Sequence, residues 1–140
     1  KVKLPLLDSS VFSPYREKIE NLIDSTKLSL VVIYELTATN IDDSTAQKFE
    51  RWRISAQKSS RLITPTQTDW LITAKSVRRL RKLKSIDKNM SATVLQNDAL
   101  IARSAYTHDC FVVTENVKDF SLLQKVMPKL EVIPAADFFS

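Results

Sequence analysis

Glycine is absent from this chain of 140 residues, although average usage of about 7% would give about ten. Phosphate-binding loops, dinucleotide-binding turns and the nucleophile elbow of hydrolases all need glycine, because the backbone there must turn sharply or approach a phosphate closely. The absence therefore excludes these three kinds of site. Helices must also end without glycine at the left-handed position, and we expect Asn40, Asn89 or His108 to serve there.

Cysteine and histidine each occur once, as Cys110 and His108. A single cysteine excludes an internal disulfide and is typical of a reducing, cytoplasmic protein. A structural zinc site needs more Cys and His ligands than the chain has. A serine triad would have to use His108 without an elbow to present the serine. No apolar run approaches the roughly 18 residues of a membrane span.

The net charge of +5 is unevenly distributed along the chain. Between Arg51 and Lys88 there are 11 Lys and Arg against 2 acids, a local charge of +9, whereas the remainder has 10 against 14, or −4. A basic segment beside an acidic body favours a polyanion such as RNA or DNA. A solvent-facing helix would carry the same charges. The predicted contacts to nucleic acid are Arg78, Arg79, Arg81 and Lys82.

Short apolar runs alternate with amphipathic segments. Strands are predicted over residues 4–8, 62–63, 111–114 and 130–133, and helices over residues 14–27, 44–59, 96–107 and 118–127. The sequence of residues 28–37 is compatible with either a strand or a helix, and Ser29 is the residue that would cap the helix. Helices that separate short, non-alternating strands predict one α/β domain over residues 1–140 with a mostly parallel sheet. Ligands of such sheets bind beyond the carboxyl ends of the strands.

One further helix is predicted from a capping box. Thr64 and Gln67 have the required spacing, Pro65 occupies the first helical position, and the helix should run to about Lys84. Its inward residues are predicted to be Trp70, Leu71, Ala74, Val77 and Leu80. The aromatic residues assigned to the core rather than to base stacking are Phe49, Trp52 and Trp70.

Four acids adjoin apolar runs: Asp8, Glu35, Asp98 and Asp119. An unpaired buried charge costs several kcal/mol, so four such carboxylates in one small domain predict a divalent-cation site. Two carboxylates about 5 Å apart repel by roughly 3 kcal/mol at an effective dielectric near 20, and without a cation their pKa values should rise. Taken singly, each acid has a structural interpretation: a turn, an ion pair, or the first turn of a helix.

The chain resembles PIN-domain nucleases, specifically the VapC-type toxins of toxin–antitoxin pairs. The resemblance covers essentially the whole chain. It rests on the segments LLDSSVF, VVIYELTA, DWLITAKSVRRLRKL, NDALIARSA and FVVTENVKDF. The chain departs from the family pattern in having no glycine between the Asp98 helix and the next strand, where His108, Asp109 and Cys110 stand.

The resemblance implies a three-layer α/β/α domain with a mostly parallel central sheet. It also implies a catalytic and metal-binding quartet of Asp8, Glu35, Asp98 and Asp119 around Mg²⁺ or Mn²⁺, supported by Thr114 and Asn116. VapC-like proteins hydrolyse RNA, are silenced by an antitoxin and are commonly dimers. Two alternatives stay open: a PIN-like RNA-processing nuclease without an antitoxin, and an inactive module that binds RNA or protein.

Overall fold

The structure, a computed structural model, describes residues 2–83 and 95–140. Its strands are β1 (Leu4–Leu7), β2 (Leu28–Ser29), β3 (Leu62–Ile63), β4 (Cys110–Thr114) and β5 (Val132–Pro134). Its helices are α1 (Arg16–Leu22), α2 (Leu30–Thr39), α3 (Asp43–Lys58), α4 (Gln67–Lys82), α5 (Gln96–Thr107), α6 (Val117–Gln124) and α7 (Ala135–Phe138). Short 3-10 turns cover Ser9–Val11 and Ile23–Ser25. Within the described ranges, no helix is long and apolar enough to span a membrane.

All strand pairs in the described residues are parallel. β1 pairs with β4, β4 pairs with β5, and β2 pairs with β3. These pairs form a three-stranded sheet, β1-β4-β5, and a two-stranded sheet, β2-β3. A parallel bridge from Leu6 to Lys27 joins the two sheets, which gives the order β3-β2-β1-β4-β5. Pro5 lies inside β1, yet its carbonyl still accepts a 3.0 Å hydrogen bond from the Lys27 amide, so the missing N–H of proline does not stop the pairing. The predicted α/β architecture with a parallel sheet is confirmed.

Residues 28–37, which the sequence left undecided between strand and helix, contain both a short strand and a helix. Leu28 and Ser29 pair with β3, and Ser29 then caps α2 by accepting a 3.1 Å hydrogen bond from the Val31 amide. The apolar sequence is compatible with either form, and the cap decides where the strand ends and the helix begins. Glu35 consequently lies in the second turn of α2.

The predicted capping box of α4 is wrong by two residues. Thr66, not Thr64, is the N-cap: its hydroxyl accepts from the Asp69 amide, and its own amide donates to Asp69 Oδ2 at 2.9 Å. The helix ends at Lys82, and Lys84 lies outside the described residues.

The predicted inward face of α4 is also partly wrong. Val77 and Leu80 are buried as expected, whereas Trp70, Leu71 and Ala74 are exposed. Asp69 and Thr73 occupy the inward positions instead. The reason is a salt bridge of 2.9 Å between Asp69 Oδ1 and Arg103 Nε on α5, which turns this polar stripe of α4 toward α5.

Among residues 2–83 and 95–140, two have a left-handed backbone: Ser60 and Asp109, with φ of 59° and 55°. Each follows the end of a helix, α3 and α5 respectively, where glycine usually stands. Asn40 and His108 were predicted for this role but have φ of −112° each, and Asn89 lies outside the described residues. Aspartate is one of the residues that visit this conformation without glycine, and the Asp109 side chain pairs with Lys3.

The remaining predicted elements differ from the structure mainly at their ends. α1 stops at Leu22, because the 3-10 turn over Ile23–Ser25 lets the chain enter the sheet at Lys27. α6 ends at Gln124, and β5 begins at Val132. Of the predicted core aromatics, Phe49 is buried and Trp52 packs against it at 5.7 Å between ring centroids.

Candidate active site at the carboxyl edge of the sheet

The first and fourth strands deliver polar residues to the same edge of the sheet. Leu7 is in register with Val113, and the Asp8 amide donates a 3.0 Å hydrogen bond to the Val113 carbonyl. Asp8 therefore lies beside Thr114 at the point where both strands end. This is the edge at which parallel sheets bind ligands.

Asp8 is almost completely buried, with 1% of its surface exposed. Its Oδ2 accepts two hydrogen bonds of 2.8 Å, from the hydroxyls of Ser10 and Thr114. Its Oδ1 is buried and has no hydrogen-bond partner. Buried polar atoms are nearly always paired, so an orphaned carboxylate oxygen points to a ligand.

Two hydroxyls connect Asp8 to the loop after β4. Thr114 Oγ1 accepts from the Asn116 amide at 2.8 Å while donating to Asp8. Ser10 Oγ accepts from the Glu115 amide at 3.0 Å. Asn116 thus contributes its backbone to this network, and Thr114 connects the loop directly to the acid.

Glu35 projects from α2 toward the same edge. Its Oε2 accepts a 3.3 Å hydrogen bond from Asn97 Nδ2 on α5, and its Oε1 is buried without a partner. Burial is the largest cause and raises the pKa of Glu35; the charge of Asp8 raises it too, whereas the Asn97 hydrogen bond and a contact with the Ser9 side chain lower it. Glu35 is therefore a second carboxylate with an unsatisfied buried oxygen close to Asp8.

Asp98 has a pKa well above the ordinary value of an aspartate. Burial in the first turn of α5 is the largest cause, and the charges of Asp8, Glu35 and Asp119 add to it, which raises the pKa of Asp98 to about 7. Asp119 lies half-buried in the first turn of α6. The structure thus brings the four predicted acids into one electrostatically coupled group, hereafter the acid cluster. The rise in pKa is the direction expected for carboxylates that repel one another.

The acid cluster has the donor chemistry of a Mg²⁺ or Mn²⁺ site. Within residues 2–83 and 95–140, no three His, Cys, Asp or Glu side chains already stand in an arrangement that could hold a metal ion. Magnesium needs fewer direct protein ligands, because it keeps several waters and takes one or two carboxylates. The unpartnered Asp8 Oδ1 and Glu35 Oε1 are the atoms that fit such an ion.

The predicted nucleic-acid contacts lie beside the acid cluster rather than in it. All four predicted contacts on α4 are exposed: Arg78, Arg79, Arg81 and Lys82. Arg78 and Arg81 line one groove together with Trp70 and Gln96. Gln96 precedes Asn97 on α5, which connects this groove to the site through Glu35.

Sequence reasoning missed Ser10 and Asn97 as site residues. Both stand next to predicted acids in the quoted segments, Ser10 two residues after Asp8 and Asn97 immediately before Asp98. Proximity in sequence to a buried acid was the available signal. The hydrogen bonds themselves depend on how the strands and helices meet.

Solved structures share this fold at low sequence identity. FitAB bound to the IR36 DNA fragment matches with a TM-score of 0.62 and 17% identity, covering 94% of this chain and 95% of that one. VapBC-1 from nontypeable Haemophilus influenzae matches at 0.59 and 17%, covering 94% and 98%. DNA-bound VapBC from Salmonella typhimurium matches at 0.60 and 15%, covering 96% and 99%. No family model and no curated protein matches the chain. The predicted resemblance to VapC-type PIN domains is thereby confirmed at the level of the fold.

Proposed function

We propose that the chain is a metal-dependent endoribonuclease of the VapC type, which hydrolyses RNA phosphodiester bonds at the acid cluster. The observation that carries the proposal is the pair of buried, unpartnered carboxylate oxygens, Asp8 Oδ1 and Glu35 Oε1, at the carboxyl edge of a parallel sheet. Structural ion pairs satisfy their oxygens, whereas a cation-binding site leaves oxygens for the ion.

Asp8, Glu35, Asp98 and Asp119 are the residues that would hold Mg²⁺ or Mn²⁺. When bound, such an ion supplies an activated water and neutralises charge on the phosphate. Ser10 and Thr114 fix the Asp8 carboxylate by occupying Oδ2, which leaves Oδ1 for a ligand. Asn97 orients Glu35 in the same way through Oε2.

Without an ion, burial and the charges of the other three acids raise the pKa of Asp98 to about 7. A cation in the cluster would favour its ionised form, because opposite charge lowers the pKa of a carboxyl. Occupancy of the site and ionisation of Asp98 are therefore coupled.

The partners form part of the proposal. Two of the structures with this fold are VapBC assemblies and one is FitAB, each named for two components. An antitoxin that binds and silences this chain is the corresponding partner, and a homodimer in the cytoplasm is the corresponding assembly. A neighbouring gene for a small DNA-binding protein would separate this toxin from a PIN-like RNA-processing nuclease.

Cleavage of total cellular RNA tests the central claim. Purified protein is incubated with Mg²⁺, with Mn²⁺ and with EDTA, beside Asp98→Asn and the matched control Asp43→Asn. Asp43 is also an acid in the first turn of a helix, but it is exposed and belongs to α3. We expect cleavage that requires the metal, that Asp98→Asn loses and that Asp43→Asn keeps.

Two other results would contradict the proposal. Cleavage in EDTA that Asp98→Asn retains would exclude the acid cluster as the site. Binding of RNA by wild type and Asp98→Asn alike, without cleavage at any metal concentration, would support the inactive binding module.

A further inference from the structure

A groove of about 370 Å³ lies next to the acid cluster and is used by none of the steps above. We call it the aromatic groove; its walls include Leu30, Tyr34, Pro65, Trp70, Gln96 and Asn97. Asn97 belongs to both sites, because its amide also donates to Glu35. The aromatic groove is therefore separated from Glu35, one of the acids of the proposed function, by a single side chain, Asn97.

Its two aromatic rings are unusually exposed. Tyr34 is 66% exposed and Trp70 is 47% exposed, although large aromatic side chains usually bury most of their surface. The salt bridge between Asp69 and Arg103 turns the neighbouring face of α4 inward, which leaves Trp70 on the outside. An exposed apolar patch beside a groove is typical of an interaction or ligand-binding surface.

The aromatic groove and the acid cluster share one edge of the sheet. Leu30 follows the end of β2 and Pro65 follows the end of β3, whereas Asp8 follows the end of β1. In the order β3-β2-β1-β4-β5, these three strands are neighbours. A strand of nucleic acid that lies along this edge would pass from the acids to the aromatic groove.

A second groove with a basic side chain in its wall adjoins the aromatic groove. Trp70 and Gln96 also line the second groove, of about 240 Å³, whose wall includes Arg78. Ring faces are thus followed by a guanidinium group within one continuous surface. Alternation of stacking surfaces with cations is the arrangement that binds single-stranded nucleic acid, whose bases stack and whose phosphates pair with basic side chains.

We propose that the aromatic groove binds a nucleobase of the single-stranded RNA whose backbone lies at the acid cluster, with Trp70 and Tyr34 as the stacking residues. The inference rests on the proposed ribonuclease function. Gln96 and Asn97 also line the groove, and the amide of Gln96 can hydrogen-bond to the edge of the stacked base. A purely apolar partner segment would not need these amides, and a second copy would bring its own basic α4 against this one.

Binding of short, labelled, single-stranded oligoribonucleotides tests the proposal in the Asp98→Asn background, which prevents cleavage. Trp70→Ala and Tyr34→Ala are compared with Trp70→Phe, which keeps a ring. The control is Leu71→Ala, because Leu71 is an exposed apolar residue of α4 outside the walls of the groove. Circular dichroism and urea midpoints verify that each variant is folded.

We expect Trp70→Ala to weaken binding about 10-fold, as loss of one stacked base does. Trp70→Phe should retain most of the affinity, and Leu71→Ala all of it. An abasic nucleotide at one position of the RNA should weaken binding to the protein with Trp70 and have little further effect on Trp70→Ala, because both changes remove the same contact.

Other outcomes overturn the inference in distinguishable ways. If the wild-type chain cleaves RNA but Trp70→Ala binds and cleaves equally well, the base site is wrong and the ribonuclease stands. If Trp70→Ala changes only the self-association of the protein in gel filtration, the groove is a protein contact. If the wild type neither binds nor cleaves RNA, the base site and the ribonuclease fail together.

Discussion

The raised pKa of Asp98 makes the metal-free protein less stable as pH increases. Burial and the charges of Asp8, Glu35 and Asp119 raise this pKa from the ordinary 3.8 to about 7. Between about pH 4 and pH 7 the unfolded chain releases the proton that the folded chain keeps. Stability falls wherever the folded state binds more protons than the unfolded state. The loss begins near the unfolded pKa and is complete above the folded one.

The size of this effect follows from the pKa values. A rise from 3.8 to about 7 corresponds to about 4 kcal/mol. Asp98 is partly exposed, so screening by solvent reduces the expected loss to about 2 kcal/mol. Because one or two kcal/mol is a large fraction of the stability of a domain, the effect is measurable.

Urea unfolding followed by circular dichroism, in EDTA and across pH 4 to pH 8, measures it directly. We expect the free energy of unfolding to fall by about 2 kcal/mol in wild type and to fall much less in Asp98→Asn, which carries no titrating proton. A smaller slope should persist in that variant, because burial also raises the pKa of Glu35. Asp43→Asn serves as the control and should keep the full slope.

Two outcomes would refute the reasoning. A pH-independent stability of the metal-free wild type would mean that Asp98 is not in a desolvated, repulsive position. An Asp98→Asn variant less stable than wild type at pH 8 would mean that the carboxylate forms favourable contacts, as in an ordinary helix cap.

Three further changes have expected outcomes. Mg²⁺ at about ten times its Kd should raise the free energy of unfolding of wild type, measured by urea unfolding, by about 1.4 kcal/mol. An equal increase for Asp8→Asn in the same titration would contradict the metal site. Thr114→Val should lower stability by about 2 kcal/mol, because it removes the buried hydrogen bond to Asp8 as well as the acceptor of the Asn116 amide. Thr114→Ser keeps the hydroxyl and should recover most of this loss in urea unfolding. Asp69→Asn should lower stability by about 3 kcal/mol, because Arg103 loses its buried partner; a loss below 1 kcal/mol would show that the pair does not hold α4.

The acids and the sheet could be predicted from the sequence because both follow from short segments. A carboxylate directly after a run such as Leu6–Leu7 has to lie where a buried strand ends. Parallel strands then bring such ends together, so Asp8 and Thr114 could be placed without knowing any contact. The sequence of residues 28–37 does not decide between strand and helix; Ser29 is only a candidate cap, and the cap alone does not predict that a short strand precedes it.

The orientation of α4 could not be predicted in this way. Periodicity assigns apolar residues inward, which placed Trp70 and Leu71 in the core. The structure instead buries Asp69, because Arg103 is 34 positions away in sequence but adjacent in space. A buried ion pair between distant residues leaves no periodic signal, and it rotates the whole helix face.

The wrong prediction of the inward face of α4 and the exposure of Trp70 in the aromatic groove have the same cause. Placing Asp69 against Arg103 turns the next residue, Trp70, away from that contact by about a third of a turn and into the grooves that it lines together with Gln96. Replacing a buried ion pair by well-packed apolar residues is often neutral or stabilising, so core packing alone does not favour the observed choice. The sequence instead keeps the charged residue inside and the aromatic ring outside, beside Tyr34 and Asn97. An arrangement that gives up core burial at the edge of the acid cluster is expected where the exposed ring contacts a ligand.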